Sequence, residues 1–421
     1  MRVLYLDSDG PMGGASRSLY EVVRPLSADS VEPYFVAVEG TALNFYSQIA
    51  KDMVVTRGLT KFDNTRYSYY RGLRWLIVIR EIFYFPFTLI ALAKARRRWR
   101  SVEVIHINEV LCIVPGLIAR WLFGAPLVVH VRSPARMDDN SLRCRWLFGK
   151  LQKHAAAIIA INETTKATLP DWLKVDVIQN SFTPKKLPEP DRAMQAKLDA
   201  LDPTSLKVGF VGNLHHSKGL FDLLEAAKLV RAAGRNVEYV IVGGVTVVDS
   251  GLKAWLLTAA GLAQNVQEEL AVRVQQEGLS DIFHMLGSTV DIQRVYERID
   301  VIAFPSHFDA PGRPVFEAAF SSVPSIVAVE NPFPDTLIDG ETGLAVPGRN
   351  PVKLAAAIMH FADNRMDVQR MGANAKLLAE QNFKPELNAE KLLAIYRRVV
   401  QNGSGLSRVE PYLTPSETIR T

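Results

Sequence analysis

The sequence predicts an α/β protein built from two successive doubly wound parallel sheets. Short apolar runs alternate with helical patterns from one end of the chain to the other. The runs are rich in Val, Ile and Leu, which is typical of parallel strands buried on both faces. At 421 residues the chain is too long for one ordinary core, so two domains are expected.

Six apolar runs predict the strands of each sheet, with crossover helices between them. The first six are Val3–Leu6, Tyr34–Val38, Val104–Ile107, Leu127–Val131, Ala157–Ile161 and Val175–Ile178. The second six are Val208–Val211, Tyr239–Val242, Ile282–Leu286, Val301–Phe304, Ile326–Val329 and Leu344–Val346.

Changes in composition set the domain boundaries. Residues 1–183 form the predicted first domain, and the polar, proline-bearing stretch 184–206 is the predicted linker. Residues 207–385 form the second domain, and an apolar helical pattern over 386–402 predicts a C-terminal helix. The polar residues 403–421 are expected to be a disordered tail.

Composition also indicates the cellular compartment in which the protein is expected. Hydrophobic residues make up 48% and charged residues 22% of the chain, as in soluble globular proteins. Asp7 and Asp9 follow the first apolar run at once, so this run is expected to be a buried strand and not a signal peptide. Two cysteines cannot build a disulfide framework, which favours free thiols in a reducing compartment. A cytoplasmic location is expected.

The segment 66–100 carries an unusual concentration of basic and aromatic residues. Its apolar span 73–93 is broken by Arg74, Arg80, Glu81 and Pro86, and is therefore a poor transmembrane helix. A basic, aromatic-rich surface suits contact with an anionic membrane. The protein would then be a peripheral membrane protein on the inner face of the membrane. The alternative is a partly buried helix pair with a solvated basic end. No nucleic-acid motif accompanies the charge, so no nucleic-acid partner is expected.

The stretch from Asp309 to Glu317 is the most informative part of the chain. Two carboxylates eight residues apart flank a Pro-Gly-Arg turn, after the strand Val301–Phe304 and at the start of a helical run. Loop amides and a helix N-terminus suit a phosphate or sugar ligand, and Glu317 suits ribose hydroxyls. The alternative is that Glu317 only complements the helix dipole and that Asp309 is a solvated loop acid.

Two further glycine-containing turns follow predicted strands. Gly212 to Gly219 precedes a helical run, which places Lys218 to meet a diphosphate, although an ordinary surface lysine is the alternative. Gly13 and Gly14 allow close backbone approach to a phosphate or sugar, and a tight turn alone would also explain them. Asp7-Ser8-Asp9 is interpreted as loop polarity or acceptor contact in preference to a metal site, because further ligands are lacking.

His130 and Arg132 end the strand Leu127–Val131 and lie on one face, since a strand has a period of two. Arg132 would offer a fixed cation to a diphosphate or an anionic acceptor. His130 is either a catalytic residue or a buried, hydrogen-bonded core histidine.

These motifs together resemble those of the retaining glycosyltransferase family 4. Asp309 and Glu317 occupy the places of its acid-x7-acid signature, and Val211–Gly219 resembles its Gly-Arg-Leu-x-x-x-Lys-Gly phosphate loop. Further matches follow in the right order, at Gly13–Ala15, Ile241–Gly244 and His284–Gly287. The chain departs from the family at Asp309, where Glu is usual, and at Asn213, where Arg is usual. Arg313, His215 or His216 is a candidate to replace the missing cation.

The resemblance implies the GT-B fold, with two Rossmann-like domains facing each other across a cleft, an acceptor domain first, a nucleotide-sugar domain second and a last helix crossing back to the first. It implies a metal-independent hexosyltransferase without a cofactor that moves a sugar from a UDP- or GDP-sugar with retention. The acceptor would be a glycan or a lipid-linked sugar in polysaccharide or lipopolysaccharide assembly. The implied catalytic residues are Asp309, Glu317, Lys218, Arg132 and His130. The implied donor-binding residues are Gly13, Gly14, Gly212, Asn213, Lys218, Gly243, Leu286, Pro311, Gly312, Arg313 and Glu317.

Two other functions fit the same fold, because fold does not determine function. One is a nucleotide-sugar epimerase, which would need an acid/base pair flanking a sugar carbon. The other is a catalytically weak partner in a glycan-assembly complex, which the replacements at Asn213 and Asp309 would suit. Nucleotide release from UDP- and GDP-sugars, with and without an acceptor, distinguishes the three.

Overall fold

The structure, a computed structural model, describes residues 1–66, 70, 75–138, 140–189, 191–244 and 266–405, with side chains up to residue 402. The chain divides into two compact units. Unit 1 comprises Met1–Ile161, Thr165–Ile178 and the chain from Glu386 onward, and unit 2 comprises Asn162–Thr164 and Gln179–Pro385. Each unit holds one parallel sheet, which confirms the predicted pair of α/β domains.

The sheet of unit 1 has seven strands in the order β3-β2-β1-β4-β5-β6-β7, all parallel. The strands are β1 Arg2–Asp7, β2 Glu32–Val38, β3 Asp52–Thr56, β4 Val104–Ile107, β5 Leu127–Val131, β6 Ala155–Ala160 and β7 Val175–Val177. The sequence analysis did not predict β3, an edge strand in which Val55 is exposed. Its alternating exposure lacks the continuous apolar run by which the buried strands were found.

The sheet of unit 2 has six parallel strands in the order β10-β9-β8-β11-β12-β13. The strands are β8 Leu206–Val211, β9 Val237–Val242, β10 Phe283–Gly287, β11 Val301–Phe304, β12 Ser325–Ala328 and β13 Gly343–Val346. The strand order reverses between β8 and β11. In open parallel sheets, ligands bind beyond the carboxyl ends of the strands at such a reversal.

Helices cover the sheets of both units. The first five are α1 Gly14–Val23, α2 Leu43–Tyr46, α3 Ile77–Arg98, α4 Ile113–Phe123 and α5 Leu142–His154. They are followed by α6 Glu163–Lys166, α7 Arg192–Asp199, α8 Leu220–Ala232, α9 Val266–Gln276 and α10 Ile292–Tyr296. The last four are α11 Arg313–Ala319, α12 Pro351–Asp363, α13 Arg365–Asn382 and α14 Pro385–Gly405. No helix in the described ranges has the length and uninterrupted apolar sequence that a membrane span needs.

Two segments between and after the sheets are ordered parts of the units. Helix α7 lies inside the stretch predicted as a linker, and its Met194 and Leu198 are buried in a core cluster of unit 2. Helix α14 contributes Leu392, Ile395 and Tyr396 to a core cluster of unit 1. The predicted tail 403–421 lies outside the described residues beyond Gly405.

Candidate functional site

The loop after β8 is held in shape by a backbone contact that only glycine allows. Residues His216–Lys218 form a short 3-10 helix, and Gly219 then caps α8 in the left-handed conformation, with φ of 72°. A Cβ atom on Gly219 would lie 1.8 Å from the Pro305 carbonyl oxygen, just after β11. The phosphate-binding loop of the sequence prediction is therefore packed against the end of the neighbouring strand.

Lys218 is a partly buried cation between two aromatic rings. Its Nζ lies 5.5 Å from the ring centre of Phe304 and 5.3 Å from that of Phe308. Burial lowers the pKa of the Lys218 ammonium. Within the described ranges no carboxylate lies at ion-pair distance from Nζ, so the charge is available for an anionic ligand. The sequence analysis missed both rings, although Phe304 ends a strand at the predicted site.

Glu317 lies in α11 and is buried. Its Oε1 accepts a hydrogen bond from Arg313 Nε at 2.9 Å, and its Oε2 accepts one from the Tyr296 hydroxyl at 2.9 Å. The Arg313 guanidinium also donates to the Ser181 carbonyl oxygen at 3.2 Å. These partners orient the Glu317 carboxylate.

Asp309 has different surroundings, because it is exposed and its Oδ1 accepts only one described hydrogen bond, from the Glu330 amide at 3.0 Å. Between the two acids, Pro311 is half-buried and Gly312 lies against the Phe304 ring. Phe304 therefore contacts both the acid loop and Lys218, and it joins two motifs that lie about ninety residues apart in the sequence.

The loops after β9 and β10 complete this edge of the sheet. Gly243 packs against the Gly212 carbonyl group and donates its amide to Gly287 at 2.9 Å. Leu286, next to Gly287, is half-buried in β10. The predicted donor-binding residues of unit 2 thus lie on adjoining loops.

Each candidate for the missing second cation has a partner within unit 2. Asn213 is exposed, and His215 accepts the Ser217 amide at 3.2 Å. His216 lies 3.0 Å from Glu269, and Arg313 is bound to Glu317. Each candidate already has a partner within unit 2, so Lys218 is the cation here without one among the described residues.

In unit 1, the acids after β1 have internal partners. Asp7 is buried and accepts hydrogen bonds from the hydroxyls of Tyr46 and Ser16, the latter at 2.9 Å. Burial, with the nearby Asp9 charge, raises the pKa of Asp7. Asp9 pairs with Lys61 at 2.5 Å. Nowhere in the described ranges do three or more His, Cys, Asp or Glu side chains form a group suited to a metal ion.

Gly13 and Gly14 lie at the start of α1, where Gly13 is the N-cap residue and provides no side-chain cap. A Cβ atom on Gly13 would approach only the Pro11 carbonyl oxygen, at 4.0 Å. Packing within unit 1 therefore does not require a glycine at this position, which leaves close approach of a ligand as a reason for it.

His130 belongs to a buried network of unit 1. Its Nδ1 lies 3.3 Å from His106 Nε2 and 3.3 Å from the Arg132 guanidinium. Burial, followed by the charge of Arg132, lowers the pKa of His130 well below its ordinary value. These surroundings favour the alternative of a neutral core histidine. Arg132 is itself buried, and its Nε donates to Asn108 Oδ1 at 2.7 Å.

Glu109 is a buried acid of unit 1 that the sequence analysis did not single out. It accepts hydrogen bonds from the amides of Val110 at 2.8 Å and Arg132 at 3.2 Å and from the Ser133 hydroxyl at 3.0 Å. Burial raises its pKa to about 7, although these three donors act in the opposite direction. Glu109 lies two residues beyond the end of β4, and a search of the carboxyl ends of the strands, where ligands bind in such folds, would have included it.

Two family models match adjoining parts of the chain. The model described as Glycosyltransferase Family 4 matches residues 12–185, and the model described as Glycosyl transferases group 1 matches residues 193–378. The first match contains the candidate residues of unit 1, and the second contains Lys218, Asp309 and Glu317.

The chain is similar to the lipopolysaccharide core biosynthesis mannosyltransferase LpsB of Rhizobium meliloti, with 26% identity over 73% of this chain and 82% of that protein. It is also similar to the capsular polysaccharide biosynthesis glycosyltransferase CapM of Staphylococcus aureus, with 24% identity over 69% of this chain and 75% of that protein.

Solved structures share the fold over almost the whole chain. Anabaena HepE in complex with UDP covers 96% of this chain and 100% of its own, with a TM-score of 0.70 and 20% identity. Sucrose-phosphate synthase of Thermosynechococcus elongatus has a TM-score of 0.69 and 16% identity, also over 96% of this chain. The two family models and this shared fold show that the chain belongs to the family 4 glycosyltransferases, with the GT-B fold.

Proposed function

We propose that this protein is a retaining hexosyltransferase that takes its sugar from a UDP- or GDP-sugar bound to unit 2. The observation that carries the proposal is Lys218, a desolvated ammonium placed over two aromatic rings with no carboxylate partner among the described residues. The negatively charged diphosphate of the nucleotide would be the partner of Lys218, and it would also lie next to the loop amides and the start of α8. The complexes of HepE with UDP and with UDP-glucose support a nucleotide-sugar donor for this fold.

Glu317 and Asp309 would bind different parts of the donor. Glu317, oriented by Arg313 and Tyr296, would accept the ribose hydroxyls. Asp309 is exposed on the preceding loop and would meet the transferred sugar, together with backbone groups at Pro311 and Gly312.

Transfer would then rest on stabilising the leaving diphosphate. The bond between the anomeric carbon and the diphosphate oxygen breaks, and the acceptor hydroxyl forms the new bond on the same face of the sugar. The acceptor proton passes to the departing phosphate oxygen. Lys218 and the loop amides would stabilise the charge that develops on this oxygen, without a metal ion.

We place the acceptor on unit 1 and infer that it is a glycan or a lipid-linked sugar. The similarity to LpsB and CapM, named for lipopolysaccharide core and capsular polysaccharide biosynthesis, supports this class of acceptor. The basic and aromatic segment 66–100 supports peripheral contact with an anionic membrane, on its cytoplasmic side.

Replacing Lys218 with Ala tests the donor site. Calorimetric titration with UDP and GDP should show a roughly 10- to 100-fold loss of affinity, because a charge-assisted hydrogen bond is lost. The control is Lys228→Ala, which removes a lysine of α8 that pairs with Glu225 and Glu277. The control should bind as the wild type does. Unchanged diphosphate affinity in a folded Lys218→Ala protein would remove this residue from the site.

Transfer itself is tested by following nucleotide release from UDP- and GDP-sugars, with and without an acceptor. We expect release that depends on the acceptor and a product whose anomeric configuration, determined by NMR, matches that of the donor. A change of the sugar without nucleotide release would instead identify an epimerase.

A further inference from the structure

Helix α3 of unit 1 has two apolar faces, of which only one is covered. Its buried residues, Glu81, Thr88, Ala91, Leu92 and Ala95, lie on the face that packs into unit 1. The opposite face, called here the outer face, consists of Ile79, Ile82, Phe83, Leu89 and Ile90, which are between 42% and 67% exposed. At the rise of an α-helix it is about 16 Å long. Isolated exposed apolar residues are common on proteins, but a continuous patch of this kind indicates an interaction site.

The inner face of α3 is held by polar contacts as well as by packing. Glu81 accepts the Lys61 amide at 2.6 Å, and the Thr88 hydroxyl oxygen accepts the Thr60 amide at 2.9 Å. The Tyr84 ring packs closely against Gly58. The helix is therefore fixed in its orientation, and the outer face cannot turn inward without breaking buried hydrogen bonds.

The C-terminal end of α3 borders a basic depression of about 280 Å³. Its walls are Met53, Val54 and Val55 of the edge strand β3 and Lys94, Arg97 and Arg98 of α3. Arg98 is paired with Asp52 at 2.8 Å. In the described part of the chain, neither Lys94 nor Arg97 has a carboxylate at ion-pair distance, so two cations remain for an outside anion.

Two exposed tryptophans lie near the ends of α3. Trp75 is exposed just before α3, and Trp121 of α4 is 81% exposed. The two helices meet near Trp121, because Arg96 Nε donates to the Leu122 carbonyl oxygen at 3.0 Å. Tryptophan is enriched at the boundary between acyl chains and head groups, since its ring is apolar and its N–H is polar.

We propose that α3 lies in the plane of an anionic bilayer, with its outer face among the acyl chains and a lipid phosphate in the depression at its C-terminal end. The charge of the helix favours an anionic lipid surface as the partner. Helix α3 contains five basic residues and one acid, Glu81, which is turned inward. This membrane contact rests on the proposed function, in which the segment 66–100 meets an anionic membrane. It adds β3 and Trp121 to the surface that contacts the lipids. Docking itself does not require transferase activity.

The first experiment removes the outer face. Ile79→Gln, Ile82→Gln and Ile90→Gln together should lower binding to vesicles of phosphatidylcholine and phosphatidylglycerol at least about 100-fold, because three inserted side chains are lost. The matched control carries Val352→Gln, Met366→Gln and Leu377→Gln, which are exposed apolar residues of unit 2. The control should bind vesicles as the wild type does.

The second experiment removes the lipid phosphate contact. Lys94→Gln with Arg97→Gln should lower binding to anionic vesicles roughly 10- to 30-fold and leave weak binding to pure phosphatidylcholine unchanged. Lys353→Gln with Lys376→Gln, at exposed positions of unit 2, is the charge-matched control. Raising the salt from about 0.1 M to about 0.5 M should reduce the difference between this variant and the wild type. Quenching by brominated lipids should fall in Trp121→Phe.

Several results would overturn the proposal: a wild type that does not bind vesicles, or an outer-face variant that binds as well as its control. Dimers of the wild type in sedimentation velocity, abolished by the outer-face changes and not accompanied by vesicle binding, would assign the surface to a second copy of the chain. Binding of UDP and GDP, measured on the same proteins, should be unchanged. A protein that docks but does not transfer sugar would contradict the proposed function and leave this inference standing.

Discussion

Glu317 and Asp309 are placed differently enough to separate their roles. Glu317 is buried and oriented by two side chains, whereas Asp309 is exposed and bound to one backbone amide. We expect Glu317→Gln to raise the donor KM about tenfold, because it weakens hydrogen bonds that bind the nucleotide. Asp309→Asn should mainly lower kcat. Steady-state kinetics with varied donor measure both constants.

Tyr296→Phe provides a control for this comparison, because it removes one orienting partner of Glu317 and leaves the carboxylate in place. Its donor KM should lie between those of the wild type and Glu317→Gln. The division of roles would be refuted if Asp309→Asn acted on KM and Glu317→Gln acted on kcat.

The buried carboxyl of Glu109 should make the stability of unit 1 depend on pH. Its folded-state pKa of about 7 lies above the ordinary value of 4.5 for a glutamate, so the folded protein keeps a proton that the unfolded chain releases. The free energy of unfolding should therefore fall as the pH rises from about 4.5 to about 7, and then level off. At about 1.4 kcal/mol per pKa unit, the loss amounts to a few kcal/mol.

Urea denaturation of wild type and Glu109→Gln across this pH range measures the effect. The variant should lose this part of the pH dependence and be more stable than the wild type above pH ~7, because a neutral amide places no charge in the buried position. Glu341→Gln, at an exposed position of unit 2, is the control and should follow the wild-type curve. Parallel curves for wild type and Glu109→Gln would contradict the prediction.

At the residue scale, sequence motifs singled out Lys218 and Glu317, whereas the side chains that surround them are set by tertiary packing. Lys218 lies between β8 and α8, and Glu317 lies in α11, which follows the loop after β11. Phe304, Phe308 and Tyr296, which surround them, have no local pattern that separates them from ordinary core aromatics. Folding alone brings these side chains to the two charged groups.

At the scale of elements, the turn from β8 into α8 is the most constrained of the site. Gly219 and Gly234 share a φ of 72°, but a Cβ atom would meet the Pro305 carbonyl oxygen at Gly219 and nothing within 4 Å at Gly234. Gly234→Ala should lower the free energy of unfolding by about 1 kcal/mol, because alanine is less stable than glycine in the left-handed backbone conformation. Gly219→Ala should cost more and should also weaken UDP and GDP binding, because the loop that carries Lys218 must move.

Thermal unfolding and nucleotide titration of the two variants check this difference. The matched φ of the two glycines isolates the effect of the backbone contact from that of conformation. Equal stability and equal nucleotide affinity in both variants would show that the contact at Pro305 does not shape the site.

Elements were predictable from sequence when they were buried on both sides. Twelve of the strands were identified because both faces of a central parallel strand are apolar, as the full burial of β4 and β5 illustrates. The half-exposed edge strand β3 was not. The sequence analysis assigned the residues of helix α7 to a linker for a similar reason. Only Met194 and Leu198 among its eight residues are buried, and the flanking sequence is polar and proline-rich.

At the scale of the whole molecule, catalysis without a metal ion is open to a direct test. We expect sugar transfer to continue in excess EDTA, because the proposed stabilisation of the leaving diphosphate comes from Lys218 and loop amides. Initial rates with and without EDTA, and after adding back magnesium or manganese, measure this. Abolished turnover that either metal restores would refute the metal-independent mechanism.

Helix α14 places residues from the far end of the chain in the core of unit 1. The Tyr396 hydroxyl donates to that of Tyr5 at 3.1 Å, across 391 positions of sequence, and Leu392 and Val399 are buried with Val3. On the ribosome, the residues of unit 2 up to Pro385 are all synthesised before this core receives its last members. Unit 1 therefore cannot complete its packing until all of unit 2 has been synthesised, and until then the apolar surface that α14 covers stays exposed.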